Sequence, residues 1–154
     1  MKQSNRPERK SIRVVLDTNV LISALLYRKK LGIISDLIEA QIITPCFIKT
    51  TFLEFQETIF SSKFRKAFKK ISLSPQELIE ALTKRSLIFP NPSEIPNVLE
   101  DQPDNYLLAC AKTTGASFIV TGDKEIQSLK QFQGIPIVSP REFLKKYKKY
   151  LKRK

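Results

Sequence analysis

Apolar positions along the chain fall into short unbroken runs that alternate with stretches of helical spacing. The first is "RVVLDTNVLISALL", residues 13–26, where Val14–Leu16 reads as a buried strand and a buried helix starts at about Val20. A helix over "GIISDLIEA" (Gly32–Ala40), a strand at Ile42–Thr44 stopped by Pro45, and a helix through "TTFLEFQETIF" follow. "SPQELIEALTK" carries a helix-start signature: Ser74 as N-cap, Pro75 at the first helical position and Glu77 three residues after the cap. A strand at Leu87–Phe89 leads into the Pro-rich loop "PNPSEIPNVLEDQP". Asp104 is expected to open the helix "DNYLLACAKTTG", ended by Gly115. "SFIVTGD" is a strand and turn, "GIPIVSP" another strand, and "REFLKKYKKYL" a closing amphipathic helix. Fully apolar strands alternating with helices predict an α/β fold, a central parallel sheet covered on both faces. In such folds sites form at the carboxyl ends of the strands.

At 154 residues the chain suits one domain with a real core, and only 4 Gly argue against a β-sandwich or a glycine-rich phosphate loop. No apolar run approaches the roughly 20 residues that span a bilayer. The basic start "MKQSNRPERKSIR" lacks the apolar segment and cleavage site of a secretory signal, so a cytoplasmic protein is expected. Cys46 and Cys110 stand far apart in apolar surroundings and read as small buried residues. The absence of His removes Ser–His and Cys–His nucleophile pairs, His-based ribonuclease chemistry and the common zinc motifs. Hydrolytic chemistry here must run on carboxylates, hydroxyls, Lys, Arg or a metal.

Lys and Arg outnumber Asp and Glu 27 to 15, a net charge of +12 that favours a polyanionic partner. The excess gathers at the ends. Residues 1–12 form a basic tail, with Arg13 just after it, and residues 145–154 close the chain as "KKYKKYLKRK". Lys145, Lys146, Lys148, Lys149, Lys152, Arg153 and Lys154 are therefore candidate nucleic-acid contacts. The domain proper is expected over residues 13–144.

Four acids interrupt apolar surroundings. Asp17 follows the first strand, Asp123 follows "FIVTG", Glu54 sits among Phe52, Leu53 and Phe55, and Asp104 stands at a helix start after the long loop. Each alone has a plain structural role open to it: turn or cap for Asp17 and Asp123, first-turn acid for Asp104, solvated helix residue for Glu54. Together they occupy places that an α/β fold brings together. Carboxylates sharing a crevice repel one another unless a cation compensates. Oxygen ligands without His or thiolate suit Mg²⁺ or Mn²⁺. An acidic pocket in a basic protein then points to metal-assisted phosphodiester hydrolysis.

"VVLDTNVLISALL", "FLEF", "DQPDNYLLACAKTTGASFIVTGDKE" and "GIPIVSPREFL" resemble, in order and spacing, the PIN-domain ribonucleases of the small prokaryotic type. The resemblance covers about Arg13 to Leu144. It implies a Rossmann-like three-layer α/β/α fold, Mg²⁺- or Mn²⁺-dependent endoribonuclease activity on RNA, and, as in VapC-type toxins, a small antitoxin partner; a homodimer is compatible with it. The family's acidic ligands fall on Asp17, Glu54, Asp104 and Asp123, and its supporting polar residues on Asn19 and Thr121. Asp101 matches an acid of the preceding loop, in a supporting or structural role. Where many relatives read T-G-D-x-D, this chain has Glu125. An RNA-binding module with weak or no catalysis, an RNA-processing nuclease outside a toxin–antitoxin pair, and a phosphatase or DNA nuclease stay open at this point.

Overall fold

The computed structural model describes residues 11–29 and 31–152. The first strand, β1 (Ile12–Leu16), alternates its side chains between two apolar clusters: Val14 and Leu16 join one, Val15 the other. A residue buried on either face needs a layer of helices on either side. One layer is built from α1 (Thr18–Ile22) with its π-helical extension Ser23–Tyr27, α2 (Gly32–Glu39), α4 (Arg65–Ile71), α5 (Pro75–Arg85) and α8 (Pro140–Tyr147). The other is α6 (Gln102–Thr114), backed by α7 (Lys124–Gln127). α3 (Lys49–Ile59) packs against both β2 and α6, and a 3₁₀ turn, Ser62–Phe64, joins it to α4.

The remaining strands are β2 (Ile43–Ile48), β3 (Leu87–Phe89), β4 (Phe118–Val120), β5 (Gln131–Phe132) and β6 (Ile135–Val138). Their order across the sheet is β3-β2-β1-β4-β6-β5, with all pairs parallel except β5 with β6. The chain therefore moves outward from β1 through β2 to β3, then returns to lay β4 on the other side of β1. That reversal makes the carboxyl ends of β1 and β4 the switch point, where such sheets open a crevice.

Several expected boundaries move. β2 does not stop at Pro45 but runs through it to Ile48. The ladder to β3 starts only opposite Cys46, so Pro45 lies before that pairing begins and takes no donor from it. α6 starts at Gln102, two residues before Asp104, because Pro103 is tolerated in a first turn whose N–H groups have no helical partner. Gly115 ends it in the left-handed region at φ +68°, as expected. The expected capping box at Ser74 and Glu77 is present in both directions, at 2.9 and 3.1 Å. β5 and α4 were not expected. β5 is two residues long and turns into β6 through Gln133 and Gly134, both at positive φ, as a tight two-residue hairpin requires.

Arg13 is no tail charge. It lies in β1, donates to the Thr114 carbonyl at 2.7 Å and stands 6.0 Å over the Phe89 ring. The tail of residues 1–10 lies outside the described residues, as do Lys30, Arg153, Lys154 and the side chain of Lys152. Among the described residues no helix is long and apolar enough to cross a membrane.

Candidate active site

The strand–turn–helix at Leu16–Thr18 places Asp17 at the N-cap of α1, with its N–H bonded to the Val120 carbonyl of β4 at 3.0 Å. Its carboxylate does not cap the helix. Oδ2 instead accepts from the hydroxyl of Thr121 at 2.7 Å, on the neighbouring strand end. Thr121 is fully buried, and its hydroxyl oxygen accepts the Asp123 N–H at 3.0 Å. The Thr121 carbonyl takes the Gln127 side-chain amide at 2.6 Å. Thr121 thus ties the ends of β1 and β4 into one rigid corner.

A cleft of about 30 Å³ opens beside this corner, lined by Asp17, Thr18, Thr51, Glu54, Pro103 and Asp104 over a floor that includes Val15 and Leu107. That volume is near the share of one liquid-water molecule, the scale of an ion or a water rather than a nucleotide. Glu54 reaches the cleft from α3, whose N-terminus is closed by Thr51: the buried hydroxyl accepts from the Ile48 N–H and donates to the Ile48 carbonyl, both at 3.0 Å. Asp104 reaches it from the first turn of α6.

The three carboxyls feel one another. Burial raises the pKa of Asp17, opposed by the hydrogen bonds from Thr121 and Thr18 and reinforced by the charge of Asp123. Burial also raises Glu54, with the charges of Asp17, Asp104 and Glu57 adding to it. Asp104 is raised by desolvation and by Asp123, Asp101, Asp17 and Glu125. Among the described residues no Lys or Arg forms an ion pair with any of them; the two ion pairs present are Arg28–Asp36 and Arg85–Glu39. The cleft therefore concentrates negative charge in an otherwise basic protein.

The other expected residues sit around this centre. Asp123 does not line the cleft; its Oδ1 caps α7 by accepting from the N–H groups of Glu125 and Ile126 at 2.8 and 3.1 Å. Glu125 is exposed in the first turn of α7. Asp101 is the exposed N-cap of α6 and holds that first turn through its carbonyl. Asn19 is exposed on α1, and its side chain makes no hydrogen bond among the described residues. α8 carries Lys145 and Lys146 away from the cleft: Tyr147 packs on Phe118, which starts β4, and Lys146 Nζ lies 5.2 Å from the centre of the same ring. Lys148 and Lys149 follow in the 3₁₀ turn Lys148–Lys152. No set of three or more acidic or cysteine side chains among the described residues is drawn tightly enough to form a finished metal site.

Two contributors escaped the sequence reading. Asn105 is fully buried next to Asp104, and its amide accepts from the N–H groups of Val98 and Leu99 at 3.1 and 2.8 Å. It also donates to the Leu99 carbonyl at 2.8 Å and to Gln102 Oε1 at 3.0 Å, so one side chain fastens the loop to α6. Thr51, which closes α3, is the other. A buried amide after a Pro-rich loop is a signal for Asn105; "KTTF" gives none that separates Thr51 from Thr50. Cys46 and Cys110 are buried free thiols, and burial pushes the Cys110 thiol up to about 12, which leaves it no role as a nucleophile.

A family model described as the PIN domain matches residues 13–125. The chain belongs to the PIN-domain family. It is 30% identical over 153 residues to "Uncharacterized protein MJ1680" of Methanocaldococcus jannaschii, covering 94% of this chain and 97% of that one. Its fold resembles a chain in the crystal structure of VapBC2 from Rickettsia felis bound to a DNA fragment from their promoter, with a TM-score of 0.53 and 14% identity. That match covers 83% of this chain and 98% of the other.

Proposed function

We propose that the protein is a Mg²⁺- or Mn²⁺-dependent endoribonuclease, the toxin member of a toxin–antitoxin pair. The observation that carries the reading is the convergence of Asp17, Glu54 and Asp104, from β1, α3 and α6, on one ion-sized cleft at the switch point of the sheet. The donor set is oxygen only, suited to a hard divalent cation, and the pKa of each carboxyl is raised by burial and by its acidic neighbours, with no ion pair to a Lys or Arg among the described residues. Asp17, Glu54 and Asp104 would hold the ion, with Asp123 linked to them through Thr121. Bound there, the ion would supply an activated water and offset charge on the scissile phosphate.

The residues of the chain do the rest. The Thr121 hydroxyl fixes the rotamer of Asp17 and favours its ionised form. Asn105 holds the loop against α6 and so sets the position of Asp104 beside it. The toxin role and its antitoxin rest on the likeness to the VapBC2 complex. A cleavage assay on RNA and DNA substrates with Mn²⁺, Mg²⁺ and EDTA tests the reading. RNA cut only with a divalent ion supports it; DNA cleavage alone, or RNA binding without any cleavage, rejects it.

A further inference from the structure

Away from the chain ends and the acidic cleft, a further basic run covers the turn 62–64 and α4, where Lys63, Arg65, Lys66, Lys69 and Lys70 occur without one acid. This segment packs on the π-helical extension of α1. Between them opens a groove of about 720 Å³, lined by Lys29, Lys63, Lys66, Lys69 and Lys70 over Leu26, Tyr27 and Ala67. None of these lysines forms an ion pair among the described residues. Five ammonium groups with no carboxylate partner among the described residues repel one another around one groove, a cost that a polyanion removes, and Lys63 has only the Phe64 ring at 5.2 Å. Tyr27 adds a second feature. Its ring rests 6.4 Å from that of Phe64, yet it stays 50% exposed, an aromatic face braced on one side and open on the other.

The groove is coupled to the acidic cleft by a single helix. Asp17 stands at the N-cap position of α1, and the run from Thr18 to Tyr27 places the groove about 15 Å further along. We propose that this groove holds the sugar–phosphate backbone of single-stranded RNA flanking the bond at the acidic cleft, with a base stacked on Tyr27. The proposal rests on the nuclease reading for its substrate but uses different residues. Lysines along a groove with an exposed aromatic ring are the elements of sequence-tolerant single-strand binding. An acidic peptide would satisfy the lysines, but an open aromatic face beside a line of cations is the pairing that a base and its phosphate fill together.

The test is fluorescence anisotropy of a labelled 12-nucleotide RNA in EDTA, across a salt series. The probes are wild type, the combined Lys63→Gln, Lys66→Gln, Lys69→Gln and Lys70→Gln variant, and Tyr27→Ser. The four-lysine variant should lose more than tenfold in affinity, and its salt slope should fall by roughly 0.7 for each phosphate contact removed. Tyr27→Ser should weaken binding about tenfold and leave the slope unchanged. Unaltered slope and affinity in the four-lysine variant overturn the proposal, as does a variant that loses only a Glu-rich peptide probe. Asp17→Asn keeps the two readings apart. Groove-dependent binding in a wild type that never cleaves RNA upholds the groove and rejects the nuclease; cleavage with groove-independent binding does the reverse.

Discussion

Replacing Asp17 by Asn should stabilise the metal-free protein while abolishing its activity. The substitution keeps the shape and leaves an amide oxygen to accept from Thr121, which sits 2.7 Å from Oδ2. It removes a charge that burial and Asp123 oppose and that only two hydrogen bonds favour. The opposing effects win, since the pKa of Asp17 lies above its ordinary 3.8. Weakening a charge-assisted hydrogen bond to a neutral one costs about 1 kcal/mol. Relief of desolvation and of repulsion from the neighbouring acids is worth roughly 1–3 kcal/mol. A net gain of about 1 kcal/mol raises the melting temperature of a chain this size by roughly 2–4 °C. The sign against pH follows from linkage: a raised folded pKa means stability is lost as pH climbs through it, so wild type is penalised at neutral pH. The advantage of the variant should therefore fade as pH falls toward the carboxylate range. Thermal melts in EDTA and in Mn²⁺ check it. Wild type should gain about 2.7 kcal/mol at Mn²⁺ a hundredfold above its Kd, the variant much less. A variant that melts lower in EDTA yet responds fully to Mn²⁺ would refute the reasoning.

Thr121→Val leaves Asp17 without its hydroxyl donor, so the acid limb of the pH–rate profile should move to higher pH, with a stability loss of about 1–2 kcal/mol by denaturant melt. Asn105→Ala strands the N–H groups of Val98 and Leu99 and should cost about 3 kcal/mol, with new proteolytic cuts in the loop before α6. Acidification should slow cleavage in wild type, because the ligand carboxyls must be ionised to hold an ion; the rate at saturating Mn²⁺ should recover toward neutral pH. Lys148→Gln with Lys149→Gln should flatten the salt dependence of binding to long RNA and leave turnover at saturating RNA unchanged. Deleting the segment instead should also destabilise, since Tyr150 and Leu151 pack on the core.

Where local chemistry decides the outcome, the elements were readable from residues alone. The apolar run Val14–Leu16, the Ser74 capping box and the Gly115 stop are dictated within a few neighbours. Asp17, Glu54 and Asp104 were legible as acids in apolar settings, and their meeting follows from parallel strands ending at one edge. What escaped depends on the sheet as a whole. Pro45 continues β2 because β3 starts late beside it, a fact of register that no window around Pro45 contains. Asn105 looks like one more polar residue in a helix start until the loop folds back on it. The tail shows the limit most plainly: its charge is obvious, but only the packing of Tyr147 on Phe118 shows that α8 leads away from the cleft. The groove at α4 stayed hidden for the same reason, its lysines being split between residues 29 and 63–70.

The central claim is that acids from three separate elements form one ion site, and Mn²⁺ binding to the metal-free protein measures it most directly. Electron paramagnetic resonance of free Mn²⁺ should show saturable binding by wild type. Asp17→Asn, Glu54→Gln and Asp104→Asn should each weaken that binding tenfold or more, while Asp36→Asn, whose partner is Arg28 on the surface, should not change it. Equal Mn²⁺ binding by wild type and all three cleft variants would contradict the account.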